Sequence, residues 1–77
     1  MMNDELIDKV KAIVEEEADE HVSAETSFVA LGIDSLEFLC IVNRVRCEIA
    51  PIDEMMISQI RTVKDLAAAA SIGRRRQ

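Results

Sequence analysis

The sequence predicts an all-α protein, a four-helix bundle with three main helices and one short helix. Apolar residues recur at helical spacing in three stretches, and a glycine-containing loop and a proline separate them. The chain has 77 residues, of which 49% are hydrophobic, so it is expected to form one small domain over residues 1–77. A domain of this size buries only about 60% of its unfolded surface. We expect an up-down bundle with a long first loop.

The first helix is predicted over residues 4–17, with Asn3 or Asp4 as its cap. Its buried stripe, with Ile7 at the edge, consists of Leu6, Val10, Ile13 and Val14. The acidic run over residues 15–20 is expected to be a solvated face, with a cation site as the alternative.

A long loop over residues 18–34 is predicted to lead into the second helix. Thr26 or Ser27 could cap a short turn within it. Four apolar residues are expected to anchor the loop to the bundle: Val22, Phe28, Val29 and Leu31. Its expected role is to bring Ser35 to the start of the helix.

The second helix is predicted over residues 35–49 and carries two apolar stripes. The stripe expected to face the core comprises Phe38, Ile41, Val42, Val45 and Ile49. The other stripe comprises Leu36, Leu39, Cys40, Asn43 and Cys47. This second stripe is either buried as well or left partly exposed as a docking patch, because exposed apolar clusters mark interaction sites.

Pro51 is expected to end the second helix, and Asp53 to cap a short third helix over residues 54–60. Thr62 and Asp65 form a capping box for a last helix over residues 63–71. The inward residues of that helix are expected to be Val63, Leu66, Ala67 and Ala70. Gly73 is predicted to stop the helix, so that residues 73–77 form a basic flexible tail.

The formal net charge of −6 disfavours nucleic acid as a partner, because phosphate binding needs clustered cations. The charge is unevenly spread: residues 1–37 hold eleven acids and two bases, whereas residues 38–77 hold four acids and seven bases. Only two aromatic residues, Phe28 and Phe38, are present, which removes the stacking surfaces that single-strand binders use. The acidic half is expected to steer cationic partners toward the molecule.

Two further residue types limit the possible functions. His21 is the only histidine, which disfavours a zinc site and leaves Ser35 without a base to activate it, so the chain is not expected to be an enzyme. Cys40 and Cys47 would lie roughly 10 Å apart on one helix, too far for a disulfide. Without a recognisable signal peptide or an apolar run that could insert into a membrane, we expect a reduced cytoplasmic monomer.

The segment over residues 31–36 joins the loop to the most apolar helical stretch of the chain. Gly32 can turn the backbone, and Asp34 can cap the helix that follows. Ser35 would then lie in the first turn, where free N–H groups and the helix dipole favour a phosphate. By itself, an Asp-Ser pair before a helix is an ordinary capping arrangement.

Over nearly its whole length the chain resembles the acyl carrier protein family, whose signature is Gly-x-Asp-Ser-Leu. Gly32, Asp34, Ser35 and Leu36 match that signature, and Phe28 and Leu31 stand where the family has an apolar pair. The last-helix start over residues 62–66 is also similar. The resemblance implies that Ser35 carries a 4′-phosphopantetheine arm, which holds acyl groups as thioesters for fatty-acid or related lipid or polyketide biosynthesis.

The resemblance also implies partners: a phosphopantetheinyl transferase, and acyl-loading, acyl-transfer or synthase enzymes. Asp34 and Leu36, with the turn at Gly32, would present Ser35 to the transferase. The residues implied in partner docking are Leu36, Leu39, Cys40, Asn43, Arg46 and Cys47. Those implied in an acyl pocket are Phe38, Val42, Met56, Ile57 and Ile60, although the residues alone favour core packing as the role of the methionines.

General members of the family have an acidic second helix, whereas the second helix here has no net formal charge. Glu37 and Glu48 are balanced by Arg44 and Arg46, which indicates a specialised carrier. Alternatively, the arginines pair with neighbouring acids such as Glu48 and Asp53, and the acidic first loop provides recognition. A peptidyl or aminoacyl carrier and an unmodified helical adaptor also remain open.

Overall fold

The computed structural model describes residues 4–75 and confirms the predicted fold class. Four helices follow one another along the chain: α1 (Asp4–Ala18), α2 (Ser35–Glu48), α3 (Glu54–Ile57) and α4 (Val63–Arg75). The described residues contain no strand, only an isolated bridge between Ser27 and Thr62. Asn3, one of the two predicted caps of α1, lies outside the described residues. Within this part of the chain, no helix is both long enough and apolar enough to cross a bilayer.

The core forms where α1 packs against both α2 and α4, and α2 also contacts α4. The stripe predicted for α1 is confirmed, because its four residues are all buried. In α2 the central residues Ile41, Val42 and Val45 are buried, while Phe38 and Ile49 are half-buried and pack against them. The buried residues of α4 include all four that were predicted, together with Ala69. Spacing along each helix therefore identifies most of the helical part of the core, to which the loops add Val22, Phe28, Ala50, Ile52 and Ile60.

Three predicted caps are confirmed by hydrogen bonds. Asp34 precedes α2 and Asp53 precedes α3, and each side chain accepts a bond from a backbone N–H of the first turn. At α4, the Asp65 N–H donates to Thr62 Oγ1 at 3.1 Å, and the Thr62 N–H donates back to Asp65 Oδ2 at 3.1 Å. This reciprocal pair is the predicted capping box.

The third helix is shorter than predicted and ends at Ile57 instead of residue 60. The Gln59 and Ile60 N–H groups donate to carbonyls three residues earlier, at 3.0 and 3.2 Å. Bonds of that spacing form tight turns in place of α-helix. The turns bring Ile60 into the core, where it is buried.

The prediction that Gly73 ends the last helix is wrong, and α4 continues to Arg75. Gly73 is buried, and a Cβ at this position would overlap the Pro51 carbonyl oxygen. The glycine thus allows α4 to approach the segment that follows α2. The predicted flexible tail is wrong for Arg74 and Arg75, which belong to the helix, and Arg76 and Gln77 lie outside the described residues.

Arg44 holds the end of α1 against α2. Its Nε donates to Glu48 Oε2 at 2.9 Å, and its Nη1 donates to Glu17 Oε1, 27 residues earlier, at 3.4 Å. Nη2 also lies 3.6 Å from Glu16 Oε2. These acids raise the pKa of the Arg44 guanidinium, and the hydrogen bond that Arg44 donates to Glu48 contributes most. Arg44 therefore pairs with Glu48, as the alternative interpretation of the α2 arginines predicted. It also pairs with the acidic run of α1.

Candidate functional site

Ser35 is the first residue of α2 and its side chain is exposed to solvent. The preceding residue, Asp34, accepts the Glu37 N–H at Oδ1 over 2.8 Å, while its carbonyl accepts the Phe38 N–H at 2.9 Å. These bonds fix the first turn of the helix and leave the Ser35 hydroxyl at its edge. The placement predicted for Ser35 and Asp34 is therefore observed.

A compact turn over residues 27–33 delivers the chain to Ser35. The Leu31 N–H donates to the Ser27 carbonyl at 3.2 Å, and the Gly32 N–H donates to the Val29 carbonyl at 3.0 Å. Gly32 has a φ of +73°, which residues with a Cβ rarely adopt. Ser27 also caps the turn, because its Oγ accepts the Ala30 N–H at 3.2 Å. Gly32 thus turns the backbone, as predicted.

The same turn is tied to the start of α4. The Phe28 N–H donates to the Arg61 carbonyl at 3.0 Å, and the Val63 N–H donates to the Thr26 carbonyl at 3.1 Å. Further along, the Lys64 N–H donates to the Ala24 carbonyl at 2.8 Å. The long loop is consequently fixed against a helix, and the position of Ser35 relative to α4 is well defined.

A cavity of about 480 Å³ includes Ser35 in its wall. Its lining is partly apolar and partly polar, and consists of Ser27, Phe28, Val29, Ile33, Asp34, Ser35, Phe38, Ile60 and Arg61. The rings of Phe28 and Phe38 meet edge to face, with their centroids 5.1 Å apart. This volume is in the range of small-molecule pockets, which span about 300–1,000 Å³.

The cavity contains only part of the acyl pocket that the resemblance implied. Phe38 and Ile60 line it, whereas Val42 lies in the core at 1% exposure. Met56 and Ile57 are partly buried against the core and are not among the residues that line this cavity.

Sequence reasoning did not assign Ile33 or Arg61 to this site. Their place in the wall depends on contacts between the loop and α4, which carry no signal in the local sequence.

The second apolar stripe of α2, for which the sequence allowed either burial or exposure, is exposed. Leu36 and Leu39 are 73% and 46% exposed, and Cys40, Asn43 and Cys47 are also exposed. Val29, expected to anchor the loop, is instead 87% exposed at the rim of the cavity. Exposed apolar side chains therefore occur both along α2 after Ser35 and in the wall of the cavity.

Arg46, which was expected at the docking surface, is exposed on the last turn of α2. Its Nη2 lies 4.0 Å from Glu54 Oε1, a looser contact than those of Arg44. Arg46 thus approaches Glu54 of α3, an acid that the sequence analysis did not name as its partner.

The acidic end of α1 forms a separate feature. Glu15 accepts the Val22 N–H at Oε2 over 3.0 Å, and the same oxygen lies 3.5 Å from His21 Nδ1. The Val22 hydrogen bond, followed by the contact with His21, lowers the pKa of the Glu15 carboxyl. Among the described residues, no group of histidine, cysteine and acidic side chains is arranged to hold a metal ion. His21 contacts Glu15 and is not part of the cavity wall at Ser35.

Comparison with known proteins gives one family. The family model described as the phosphopantetheine attachment site matches residues 4–70, most of the chain. No curated protein matches the sequence. That family is defined by attachment of the 4′-phosphopantetheine prosthetic group. The residues present fit such a group, because the Ser35 hydroxyl is exposed and stands beside a cavity.

Proposed function

This chain belongs to the phosphopantetheine attachment site family, and from that premise we propose that it is an acyl carrier whose arm is attached to Ser35. The observation that supports this assignment is the exposed Ser35 hydroxyl at the start of α2, beside a partly apolar cavity. Carrier domains of this family are not catalytic themselves. The chain presents a thioester to other enzymes and supplies the position, the reach and partial shelter for the acyl group.

Loading requires a phosphopantetheinyl transferase with coenzyme A as the donor. The Ser35 oxygen forms the new phosphoester bond, the pyrophosphate bond of coenzyme A breaks, and adenosine bisphosphate leaves. The transferase must supply the base that takes the serine proton, because His21 lies elsewhere. Asp34 fixes the first turn of α2, Gly32 turns the backbone before it, and Leu36 offers an exposed apolar contact to the transferase.

The exposed stripe of α2 is the proposed docking surface for enzymes that load or receive the acyl group. Its apolar members, Leu36 and Leu39, stand beside Ser35, and Arg46 adds a cation. Cys40, Asn43 and Cys47 extend the stripe and are not among the residues that carry formal charge. Such a surface suits partners with apolar and neutral contact sites, which supports a specialised carrier over a general fatty-acid one.

The cavity beside Ser35 is the proposed entry to the acyl shelter. Phe38 and Ile60 offer apolar walls to a chain attached through the arm. Each methylene removed from water contributes about 0.8 kcal/mol. Met56 and Ile57 pack against the core and could line a deeper path if the chain displaced them, as could Val42.

Two other functions are compatible with the same site. A peptidyl or aminoacyl carrier would use the same serine and differ in the enzyme that loads it. An unmodified adaptor would bind partners through the exposed stripe of α2 and carry no arm. For the acyl carrier we propose a cytoplasmic monomer that serves fatty-acid or related lipid or polyketide biosynthesis.

The decisive experiment incubates the apo protein with coenzyme A and a broad-specificity phosphopantetheinyl transferase. We expect the intact mass to rise by one arm, and fragmentation to place the arm on Ser35. Ser35→Ala should keep the helical circular dichroism spectrum and lose all loading, whereas the control Ser58→Ala, at another exposed serine, should load normally. An unchanged mass would favour the adaptor, and an arm on Ser23, Ser27 or Ser58 would contradict the assignment of Ser35.

A further inference from the structure

The cavity beside Ser35 has a single cationic residue in its lining, Arg61. The two carboxylates nearest to Ser35 in the sequence, Asp34 and Glu37, give this region a negative charge. A phosphodiester attached to Ser35 would add another negative charge at the same place. Arg61 is the one member of the cavity wall that could offset it.

The backbone of Arg61 is held from two sides. Its N–H donates to Asp65 Oδ2 at 3.0 Å, and its carbonyl accepts the Phe28 N–H at 3.0 Å. The next residue, Thr62, forms the bridge with Ser27. Arg61 is therefore fixed relative to the turn that delivers Ser35, so little backbone freedom would be lost if its side chain bound a group on Ser35.

The guanidinium of Arg61 is available for such a group. It forms no ion pair with any residue of the described chain, in contrast to Arg44, which contacts three carboxylates. The nearby Asp65 carboxylate accepts the backbone N–H groups of Arg61 and Thr62, and the charge of Arg61 is the smallest of the causes that lower the pKa of that carboxyl. An arginine fork can donate two parallel bonds to phosphate oxygens, which a lysine ammonium cannot reproduce.

We propose that Arg61 binds the phosphodiester of the arm on Ser35 and directs the arm along the mouth of the cavity. This inference rests on the proposed function, because the phosphodiester is there only if Ser35 is loaded. Arg61 acts as a positioning residue: it holds the root of the arm so that the distal part points toward the apolar wall formed by Phe28 and Phe38. It takes no part in forming the phosphoester bond.

The test compares the melting temperatures of the apo and holo forms in four proteins: wild type, Arg61→Gln, Arg61→Lys and the control Lys64→Gln. Lys64 is an exposed cation on α4 that does not line the cavity. We expect the arm to raise the melting temperature of wild type by about 2–5 °C more than that of Arg61→Gln. Arg61→Lys should retain part of this difference and Lys64→Gln all of it, and high salt should reduce it. Because each variant is compared with its own apo form, any effect on the fold alone cancels.

Phosphorus NMR of the holo proteins gives a readout that does not depend on stability. The resonance of the phosphodiester should shift between wild type and Arg61→Gln, and should coincide in wild type and Lys64→Gln. Equal apo-to-holo changes in wild type and Arg61→Gln, with coincident phosphorus resonances, would overturn the role of Arg61. Absence of the arm from Ser35 in the mass spectrum would overturn the proposed function as well, so the two failures are distinguishable.

Discussion

The two ends of α2 differ in what they leave exposed to solvent. At the C-terminal end, Arg44 is engaged by acids of two helices, and Ala50 is buried just beyond the last turn. At the N-terminal end, Leu36 is 73% exposed, Ser35 is exposed, and a cavity opens beside them. We call the C-terminal end of α2, around Arg44, its closed end, and the N-terminal end, around Ser35, its open end.

Within the 14 residues of α2, one part therefore contributes mainly to stability and another mainly to function. Burying apolar groups and pairing charges stabilises a small bundle, whose total stability is only about 5–15 kcal/mol. Exposed leucines contribute little to folding and become useful only when a partner covers them. We infer that the buried and ion-paired residues of the closed end support the fold, whereas the open end carries the arm and the exposed stripe along α2 meets the partner enzymes.

The largest effect on stability is expected from Gly73→Ala. Gly73 belongs to α4 and lies against Pro51, just beyond the closed end of α2. In an open helix position, replacing glycine by alanine would stabilise by up to about 1 kcal/mol. Here the new methyl group would overlap the Pro51 carbonyl oxygen, and overpacking of this kind costs about 1–3 kcal/mol. We expect the melting temperature to fall by about 4–8 °C for each kcal/mol of net loss.

Thermal unfolding followed by circular dichroism measures the effect of Gly73→Ala, with Ser71→Ala on the same helix as the control. Ser71 is half-buried, and its replacement should change the melting temperature much less. Loading of Ser35 at a temperature where both variants are folded should stay normal. A higher melting temperature for Gly73→Ala would show that α4 is not held against Pro51.

A smaller effect on stability is expected from replacing Asp65. Its carboxylate fixes the backbone next to the open end. Hydrogen bonds from the backbone N–H groups of Arg61, the larger cause, and of Thr62 lower the pKa of the Asp65 carboxyl below its usual value of 3.8. A carboxyl whose pKa is lower in the folded state contributes stability above its unfolded pKa. That contribution is lost as the pH falls through the folded pKa.

We therefore expect Asp65→Asn to destabilise the protein at neutral pH and to approach wild type as the medium is acidified below about pH 4. Melting temperatures of both proteins over a pH series give the comparison, with Asp8→Asn as a control at an exposed acid of α1. A difference between wild type and Asp65→Asn that did not change with pH would contradict this role for the carboxylate.

Most of the fold could be predicted because its determinants are local. Caps such as Asp34 and Thr62 act within one helical turn, and the core stripes follow from spacing alone. The position of Ser35 was accessible for the same reason, since Gly32 and Asp34 act on neighbouring backbone groups. These features need no knowledge of which helix packs on which.

The features that could not be predicted all depend on contacts between distant segments. From the sequence alone, Gly73 is typical of a residue that ends a helix. Only the close approach of Pro51 explains why a glycine lies inside α4. Arg44 reaches an acid 27 residues away, and Arg61 joins the cavity wall because its carbonyl is bonded to Phe28. Such contacts are set by the packing of the bundle and cannot be inferred from one segment at a time.

The difference between Arg44 and Arg46 changes how the proposed choice of partners should be tested. Reversing Arg44 would place four carboxylates together at the closed end, since Glu16, Glu17 and Glu48 already contact it. The resulting loss of stability would obscure any effect on recognition. Arg46 is better suited, because its ion pair with Glu54 is a looser contact of 4.0 Å.

The smallest predicted effect is therefore a change in partner preference in Arg46→Glu. A basic patch on a general fatty-acid enzyme would repel Arg46 and attract a glutamate, and surface charges act mainly on the encounter rate and the choice of partner. We expect acyl loading and elongation by general fatty-acid enzymes to rise about two- to fivefold, the range set by exposed charge pairs, and the gain to shrink at high salt. The control Lys64→Glu makes the same change of charge on α4, away from the stripe of α2, and should gain less. A wild type that served these enzymes as well as a general carrier does, with no gain from Arg46→Glu, would contradict the idea of a specialised carrier. The neutral charge of α2 would then have no effect on which enzymes the protein meets.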